Sequence, residues 1–220
     1  MPDLNTWFQD PRSSVRLQAA LAAGTAADPA DLPALLERCA VEPDFFVRDM
    51  LTWAITRLPP AQTVPAVVAE LDRDLAQARS QALHTLSKIG DRRAFPVVSR
   101  LISDPEDEVS QAAWRAAVAL VPADRRTELG GQLLGQLGRG GEELQLSLSR
   151  AFLGLGEEIC LPLLQRAVGA LQRSESARTH AAATLRLFRD PDGAFDSALE
   201  AARREVALGR TRRTQGVPPE

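Results

Sequence analysis

A repeat of 31 to 35 residues constrains the fold of this chain more than any other feature of its sequence. An apolar or small anchor residue marks the same position in each of six units, and successive anchors are 32, 31, 31, 35 and 33 residues apart. The anchors are Val15, Val47, Ala78, Val109, Leu144 and Ala177. A period of this length accommodates two short helices and two turns. The sequence therefore predicts an array of helical pairs in which each pair packs mainly on its neighbours.

The first helix of most pairs carries a proline directly after an apolar residue. The motif occurs as Leu32-Pro33, Val64-Pro65, Phe95-Pro96 and Leu161-Pro162, with apolar residues two and six positions after each proline. The fifth unit lacks this proline and has Gly130-Gly131 near its place. Because glycine is a poor helix former, the first helix of that unit is predicted to be the least regular.

The second helix of each pair carries a stripe of apolar or small residues. In the second unit the stripe consists of Val47, Leu51, Ala54, Ile55 and Leu58. These residues lie at the anchor and at four, seven, eight and eleven positions after it, which is the spacing of one helix face. The stripe predicts the face on which each second helix packs.

The composition fits closely packed helices and disfavours a dedicated nucleic-acid binder. Aromatic residues make up 5% of the chain and tyrosine is absent, so the apolar residues are mainly Ala, Leu and Val. The net charge is −3, with −5 in residues 1–110 and +2 in residues 111–220. Nucleic-acid binders usually present a basic domain or stripe. The absence of such an excess makes nucleic acid the less favoured partner.

No residue pattern points to a metal, a cofactor or a membrane segment. Cys39 and Cys160 are too far apart for a disulfide framework, and with His84 and His180 they form no ligand cluster. The sequence contains no phosphate loop, dinucleotide fingerprint or nucleophile elbow. It also lacks a signal region and an apolar run near the ~20 residues that span a bilayer. We therefore predict a cytoplasmic protein without cofactor, metal or membrane contact.

The ends and the linkers complete the predicted organisation. Residues 1–208 are predicted to form one array, closed by an amphipathic helix over residues 194–208. The Arg-, Gly- and Pro-rich tail over residues 209–220 is predicted to be disordered. Leu137-Gly138-Arg139-Gly140-Gly141 is predicted to be the loosest linker inside the array.

The repeated motif resembles the HEAT-repeat superfamily. The resemblance is carried by Leu32-Pro33-x-Leu35-Leu36 followed by Pro43-x-x-x-Val47-Arg48, and it covers about residues 4–208. It implies an all-α fold, a right-handed α-α superhelix of about six HEAT-like helical pairs. The di-iron hydroxylases of this superfamily use repeated His-Glu pairs, but here Thr85 and Ala181 follow the two histidines.

The resemblance also implies that the second helices line a concave face where a partner docks. Positions opposite the packing stripe lie two, five, six and nine residues after each anchor. The predicted partner-binding residues are Asp49, Trp53, His84, Gln111, Trp114, Arg115, Arg150 and Arg186. Tryptophan and arginine are the residue types most enriched at binding hot spots.

Each of these residues also has a structural interpretation. Trp53 and Trp114 are equally suited to filling space between neighbouring pairs. His84 is interpreted as an exposed histidine, and His180 as a structural one. Four anchors are followed by arginine, at Arg16, Arg48, Arg79 and Arg178. Because aspartates recur at the same turns, we expect Asp–Arg pairs between repeats and not a phosphate-binding ladder.

The sequence leaves three functions open. The favoured one is a non-enzymatic, monomeric scaffold or adaptor that binds a peptide or protein segment on the concave face. The first alternative resembles the HEAT-like alkylpurine DNA glycosylases, which use tryptophans, a carboxylate and arginines in a basic cleft. No local motif transfers a catalytic role from them, so no catalytic residue is predicted. The second alternative is a protein similar to the HEAT-repeat bilin lyases.

Overall fold

The computed structural model describes residues 4–190 and 195–207, and this part of the chain contains helices and no strands. The α-helices are α1 (Leu4–Phe8), α2 (Ser13–Ala26), α3 (Leu32–Val41), α4 (Phe45–Thr56), α5 (Pro60–Ala69), α6 (Ala76–Ile89), α7 (Phe95–Ser99), α8 (Asp107–Leu120), α9 (Arg126–Leu134), α10 (Glu142–Leu155), α11 (Glu157–Gly169), α12 (Glu175–Arg189) and α13 (Phe195–Ala207). Short 3₁₀ turns connect or extend several of them.

The helices follow the predicted period. Each of the six anchors is the third residue of an even-numbered helix from α2 to α12. Five of the anchors are buried, and Val15 is half-buried. The odd-numbered helices from α1 to α11 supply the first member of each pair. The predicted all-α fold of HEAT-like helical pairs is confirmed.

The helices group into two compact units, residues 1–120 and residues 121–220. The first unit contains α1 to α8, and the second contains α9 to α13. Each unit is described by itself below. The prediction that residues 1–208 form one array stays a prediction, and the predicted tail over residues 209–220 lies outside the described residues.

Local sequence explains where the helices begin. The Asp44 side chain accepts hydrogen bonds from the amides of Phe46 and Val47 at 2.9 and 3.1 Å, so it caps α4. Ser174 caps α12 in the same way, by accepting from the Ala177 amide at 3.2 Å. Pro33 lies in the first turn of α3, where its missing donor costs no helical hydrogen bond.

The least regular first helix is α7 and not α9, so the prediction for the fifth unit is wrong. α7 has 5 residues and continues as a 3₁₀ turn over Arg100–Ser103, whereas α9 is helical over 9 residues. The glycine at position 130 serves packing. A Cβ atom there would lie 2.7 Å from Leu163 Cδ1 of α11, so the leucine side chain packs directly over the glycine.

The linker between α9 and α10 is also not loose. Leu137 is buried, and the Gly138 amide donates to His180 Nδ1 at 3.1 Å. The Gly138 carbonyl accepts from Ser176 Oγ at 3.2 Å. Gly138 has φ of 80°, and a Cβ atom there would lie 2.6 Å from the Ala177 amide nitrogen. Glycine thus permits the linker backbone to dock against the start of α12.

α13 lies within residues 194–208, where the closing amphipathic helix is predicted. It packs on α12 through Leu199, Ala202 and Val206, which lie on one helix face and are buried. None of the helices among the described residues is both long and apolar enough to cross a membrane.

Candidate functional site

The first unit contains a surface cleft that we call the α6 cleft, because α6 lies between α4 and α8 there. Its volume is about 240 Å³. It is lined by Phe45, Arg48 and Asp49 of α4, by Ser80, Gln81, His84 and Ser87 of α6, and by Glu108, Gln111, Ala112 and Arg115 of α8. The structure therefore brings together four of the predicted partner-binding residues: Asp49, His84, Gln111 and Arg115.

Helical spacing explains why these side chains meet. On α8, Glu108, Gln111 and Arg115 are separated by three and four residues and so share one face. The apolar face of α8 is buried at the same time, with Val109 and Ala113 fully inaccessible. The polar residues of the cleft thus lie opposite the packing stripe, as the wheel of each second helix predicts.

The two arginines of the cleft are directed onto backbone oxygens of their own helical pair. Arg48 Nη1 donates to the carbonyls of Glu42 and Pro43, each at 2.8 Å. Arg115 Nε donates to the carbonyl of Gln111 at 3.3 Å. Their guanidinium groups are therefore partly engaged within the protein.

The two carboxylates of the cleft, unlike its arginines, have no hydrogen-bond partner within the described residues. Asp49 and Glu108 are exposed, and neither side chain forms a hydrogen bond or an ion pair with another residue in the described ranges. They lie on α4 and α8, on the two sides of α6. The cleft thus presents two carboxylates whose acceptor oxygens are available to a ligand.

His84 is half-buried on α6, between these helices. Burial lowers the pKa of His84, the charge of Lys88 lowers it further, and Asp49 opposes the change. The imidazole is therefore neutral at pH 7 and offers one donor and one acceptor. The interpretation of His84 as a solvent-exposed histidine is wrong, because the side chain is half-buried.

Trp114 does not lie on the partner-binding face, and this part of the site prediction is wrong. Its side chain is 0% exposed, and its Nε1 donates to the Ile102 carbonyl at 2.9 Å. Trp114 lies five residues after the anchor, outside the packing stripe, and it is nevertheless buried. Ile102 belongs to the 3₁₀ turn that continues α7, and this turn presents its carbonyl to the indole.

Trp53 combines the two interpretations offered for it. The side chain is 37% exposed and does not line the cleft. Part of its ring packs on α2, where a Cβ atom on Gly24 would lie 2.3 Å from Trp53 Cζ3. Trp53 therefore contributes both packing between neighbouring pairs and an exposed aromatic surface.

Arg150 and Arg186 belong to the second unit. Arg150 is exposed on α10, and Arg186 is half-buried on α12. Their place on a partner-binding face shared with the first unit stays a prediction.

In each of the first three pairs, the arginine after the anchor holds the turn between the two helices. Nη1 of Arg16 donates to the carbonyls of Asp10 and Pro11 at 2.8 and 3.0 Å. Nη1 of Arg79 donates to the carbonyls of Arg73 and Asp74 at 2.8 and 2.9 Å. The acceptors are six and five residues before each arginine, as they are for Arg48 above. We call this arrangement the turn clamp.

Two of these arginines also bind a carboxylate of the next pair. Arg79 Nη2 lies 3.2 Å from Asp104 Oδ1, and Arg16 makes two hydrogen bonds to Glu42, at 2.7 and 2.8 Å. The expected link between repeats is therefore an Asp in one case and a Glu in the other. Arg178 differs, because its Nε donates to the Val168 carbonyl at 3.2 Å. These arginines serve the scaffold.

Glu42 is the centre of a buried ionic node in the first unit. Its side chain is inaccessible and accepts from Arg16, from Arg38 Nε at 2.7 Å and from the Asp44 amide at 2.9 Å. Burial alone would raise the pKa of this carboxyl, but the bonds from Arg16 and Arg38 lower it from 4.5 to about 2. Glu42 is therefore ionised and fully hydrogen-bonded, as a buried carboxylate requires.

The second unit contains a Ser–His pair that invites a catalytic interpretation. Ser149 Oγ lies 3.0 Å from His180 Nε2, and Thr184 Oγ1 lies 2.8 Å from Ser149 Oγ. However, the Gly138 amide donates to His180 Nδ1, so the proton of the neutral ring is on Nε2. Nε2 then has no lone pair to take a proton from Ser149, and both side chains are fully buried. The group is a neutral buried network, which agrees with the structural role predicted for His180.

Burial lowers the pKa of His180 from 6.5 to about 4, against a smaller opposing effect of the Gln145 backbone. No local sequence pattern indicates this network, because its members come from the linker, α10 and α12. Among residues 4–190 and 195–207, no three His, Cys, Asp or Glu side chains are grouped so that they could hold a metal ion.

Comparisons with known proteins support the fold. The chain is similar to part of the karyopherin Kap121p in its crystal structure bound to Ste12p, with 18% identity, a TM-score of 0.59 and 93% of this chain covered. It spans a quarter of that protein, since only 25% of the Kap121p chain is covered. At this identity the likeness shows a HEAT-like helical-repeat fold.

Two further solved structures are similar over most of their length. One is the complex of CpcE and CpcF of phycocyanin lyase from Nostoc sp. PCC7120, with 15% identity, a TM-score of 0.48 and coverage of 92% and 93% of the two chains. The other is a designed armadillo repeat protein, with 15% identity, a TM-score of 0.44 and coverage of 92% and 98%. No protein-family model and no curated protein matches the chain.

Proposed function

We propose that this protein is a non-enzymatic interaction module that binds a peptide or protein segment in the α6 cleft. The observation that carries the proposal is the composition of that cleft. Three consecutive second helices contribute Asp49, Ser80 and Gln111 at one level, and His84 and Arg115 at another. The scaffold repeats, whereas these side chains differ from pair to pair, as expected of a surface that recognises a partner.

The chemistry of the cleft suits a peptide. The amide groups of Gln81 and Gln111 can donate to and accept from a peptide backbone, and the hydroxyls of Ser80 and Ser87, which donate to the Gln77 and His84 carbonyls, can still accept. The cleft volume of about 240 Å³ is below the roughly 300–1,000 Å³ of small-molecule sites. One or two side chains of a longer segment fit this dimension better than a whole cofactor.

The similarity to Kap121p adds a precedent. That structure is of the karyopherin bound to Ste12p, so a helical repeat of this fold holds a second protein there. The alternative of a DNA glycosylase-type protein is less well supported. It relied on two tryptophans in a basic cleft, and Trp114 is buried while the α6 cleft carries both Asp49 and Glu108 beside its arginines.

A peptide-display selection on the purified full chain tests the proposal. We expect enriched peptides that bind with micromolar Kd and that lose most of their affinity when His84→Ala and Gln111→Ala are combined. Gln62→Ala is the matched control, because Gln62 is exposed on α5 and does not line the cleft. Failure to enrich any peptide, or equal binding by the double variant with an intact circular dichroism spectrum, contradicts the proposal.

A further inference from the structure

We propose that the α6 cleft recognises an arginine side chain of its peptide, stacked on the Phe45 ring and paired with the carboxylates of Asp49 and Glu108. This inference rests on the proposed function and names the chemistry of the partner. Three features of the cleft support it. The carboxylates of Asp49 and Glu108 have no partner among the described residues, the α6 residues that form the floor of the cleft are neutral, and the exposed rings of Phe45 and Phe46 lie beside it.

The charges favour a cationic ligand. The carboxylates of Asp49 and Glu108 make no ion pair or hydrogen bond within the described chain, whereas the arginines donate to carbonyls of Glu42, Pro43 and Gln111. A carboxylate without a partner gains a charge-assisted hydrogen bond when a guanidinium arrives. The two arginines of the cleft keep their positive charge when they donate to neutral carbonyls, so the preference for a cation comes from the unoccupied acceptor oxygens of Asp49 and Glu108 and not from a net negative charge of the cleft.

The floor of the cleft does not oppose a cation. α6 contributes Ser80, Gln81, His84 and Ser87 to the cleft. The serine and glutamine side chains are uncharged at any ordinary pH. His84 is half-buried and neutral at pH 7, as derived above. The α6 residues that line the cleft therefore carry no fixed positive charge, and Lys88, one turn after His84 on the same helix, is not part of the lining.

The aromatic pair favours arginine over lysine. Phe45 and Phe46 are 65% and 71% exposed, with ring centroids 5.6 Å apart and an interplanar angle of 78°. The two rings form an exposed apolar surface beside the carboxylate of Asp49. Phe45 and Asp49 are four residues apart on α4 and so share one helix face. A guanidinium group can stack flat on a ring and still donate to a carboxylate in its plane, which an ammonium group cannot match.

The experiment uses three fluorescent peptide pools against the full chain at low ionic strength. All pools have random flanking residues, and the central residue is Arg, Lys or Glu. We expect the Arg pool to bind about fivefold tighter than the Lys pool and the Glu pool not to bind, as measured by fluorescence anisotropy. Asp49→Asn combined with Glu108→Gln should weaken the Arg pool about tenfold, and Phe45→Leu about threefold.

The matched control is Asp74→Asn combined with Glu143→Gln, which removes the same two kinds of exposed carboxylate outside the cleft. It should leave binding unchanged. Tighter binding of the Glu pool, or improved binding by the Asp49 and Glu108 double variant, would show an anionic ligand and overturn the inference. Equal binding of all pools would overturn it while the proposed function stands. If no pool binds to the folded protein, the proposed function fails as well.

Discussion

The two units of this chain stabilise the same type of helical pair with opposite chemistry. In the first unit, a buried carboxylate lies between two guanidinium groups, Glu42 between Arg16 and Arg38. In the second unit, a buried neutral imidazole joins a linker amide to two hydroxyls, His180 with Gly138, Ser149 and Thr184. Both nodes connect segments that are distant in sequence. The repeat therefore fixes where the helices lie, but it does not fix how their neighbours are held.

The two buried nodes also differ in how their contribution to stability depends on pH. A buried ion pair stabilises only while its carboxyl is ionised, whereas a buried neutral histidine stabilises only while its ring is unprotonated. Because the pKa of Glu42 is about 2 and that of His180 about 4, the two units differ in the acidity that they tolerate. Four substitutions or conditions break or sharpen this contrast, from the largest expected effect to the smallest.

Glu42→Gln has the largest expected effect. It leaves the Arg16 and Arg38 guanidinium groups near a buried site without a counter-charge, and such losses cost about 4 kcal/mol of unfolding free energy. Urea unfolding at pH 7 measures the change. Glu37→Gln is the control, because Glu37 is 69% exposed in its pair with Arg73 and should cost less than about 1 kcal/mol. Similar costs for the two variants would contradict the ionic node.

Gly138→Ala tests the neutral node through its backbone. Alanine at φ 80° is strained, and its Cβ would lie 2.6 Å from the Ala177 amide nitrogen. The linker must then move away from His180, at an expected cost of about 3 kcal/mol in urea unfolding. Gly131→Ala is the matched control, because a Cβ there meets nothing within 4 Å on α9. The control should be neutral or stabilise by up to about 1 kcal/mol.

Mild acid separates the two nodes. The folded pKa of His180, about 4, is below its ordinary value of 6.5, so the unfolded chain binds more protons between these values. Stability therefore falls as pH decreases from 6.5 to 4, by about 2 kcal/mol between pH 7 and pH 5. The folded pKa of Glu42 is depressed instead, so its contribution is present above pH 4.5 and is lost as pH falls towards 2.

The measurement is urea unfolding of the wild type and of His180→Gln at pH 7 and pH 5. The variant lacks the ionisable ring and should show a smaller loss between the two values, by about 2 kcal/mol. Because the pKa of His84 is also lowered, the difference between the two proteins isolates the contribution of His180. Equal losses would show that His180 does not control the acid response.

Gly24→Ala gives the smallest expected effect and tests how Trp53 is held. The added methyl group would lie 2.3 Å from the indole ring, which is 37% exposed and can turn outwards, and 2.9 Å from Ala54 Cα, which requires a small shift between α2 and α4. We expect a cost of about 1 kcal/mol and a red shift of tryptophan fluorescence. The shift should disappear when Trp53→Phe is added, since neither Trp7 nor Trp114 is among the atoms nearest to the added methyl group. A cost that persists in the double variant would mean that Gly24 acts without Trp53.

The sequence predicted the helical pairs because anchors recur at a constant spacing, and a period needs no knowledge of the third dimension. It also predicted that Asp49, His84, Gln111 and Arg115 share a face, since equivalent positions on adjacent parallel helices are neighbours. Trp114 was placed on the wrong face because its burial depends on the Ile102 carbonyl, which a 3₁₀ turn 12 residues earlier presents to the indole. The role of Gly138 was missed for a related reason, because its amide donates to the side chain of His180, which is 42 residues away.

The turn clamp has a consequence for how such a chain tolerates change. The acceptors of Arg16, Arg48 and Arg79 are carbonyl oxygens, which every residue possesses. A substitution in the turn can therefore alter the side chain without removing the bond, as long as the backbone keeps its path. Each of the first three pairs is held by one such arginine. The surrounding positions, including those of the α6 cleft, are then free to be chosen for the partner and not for the fold.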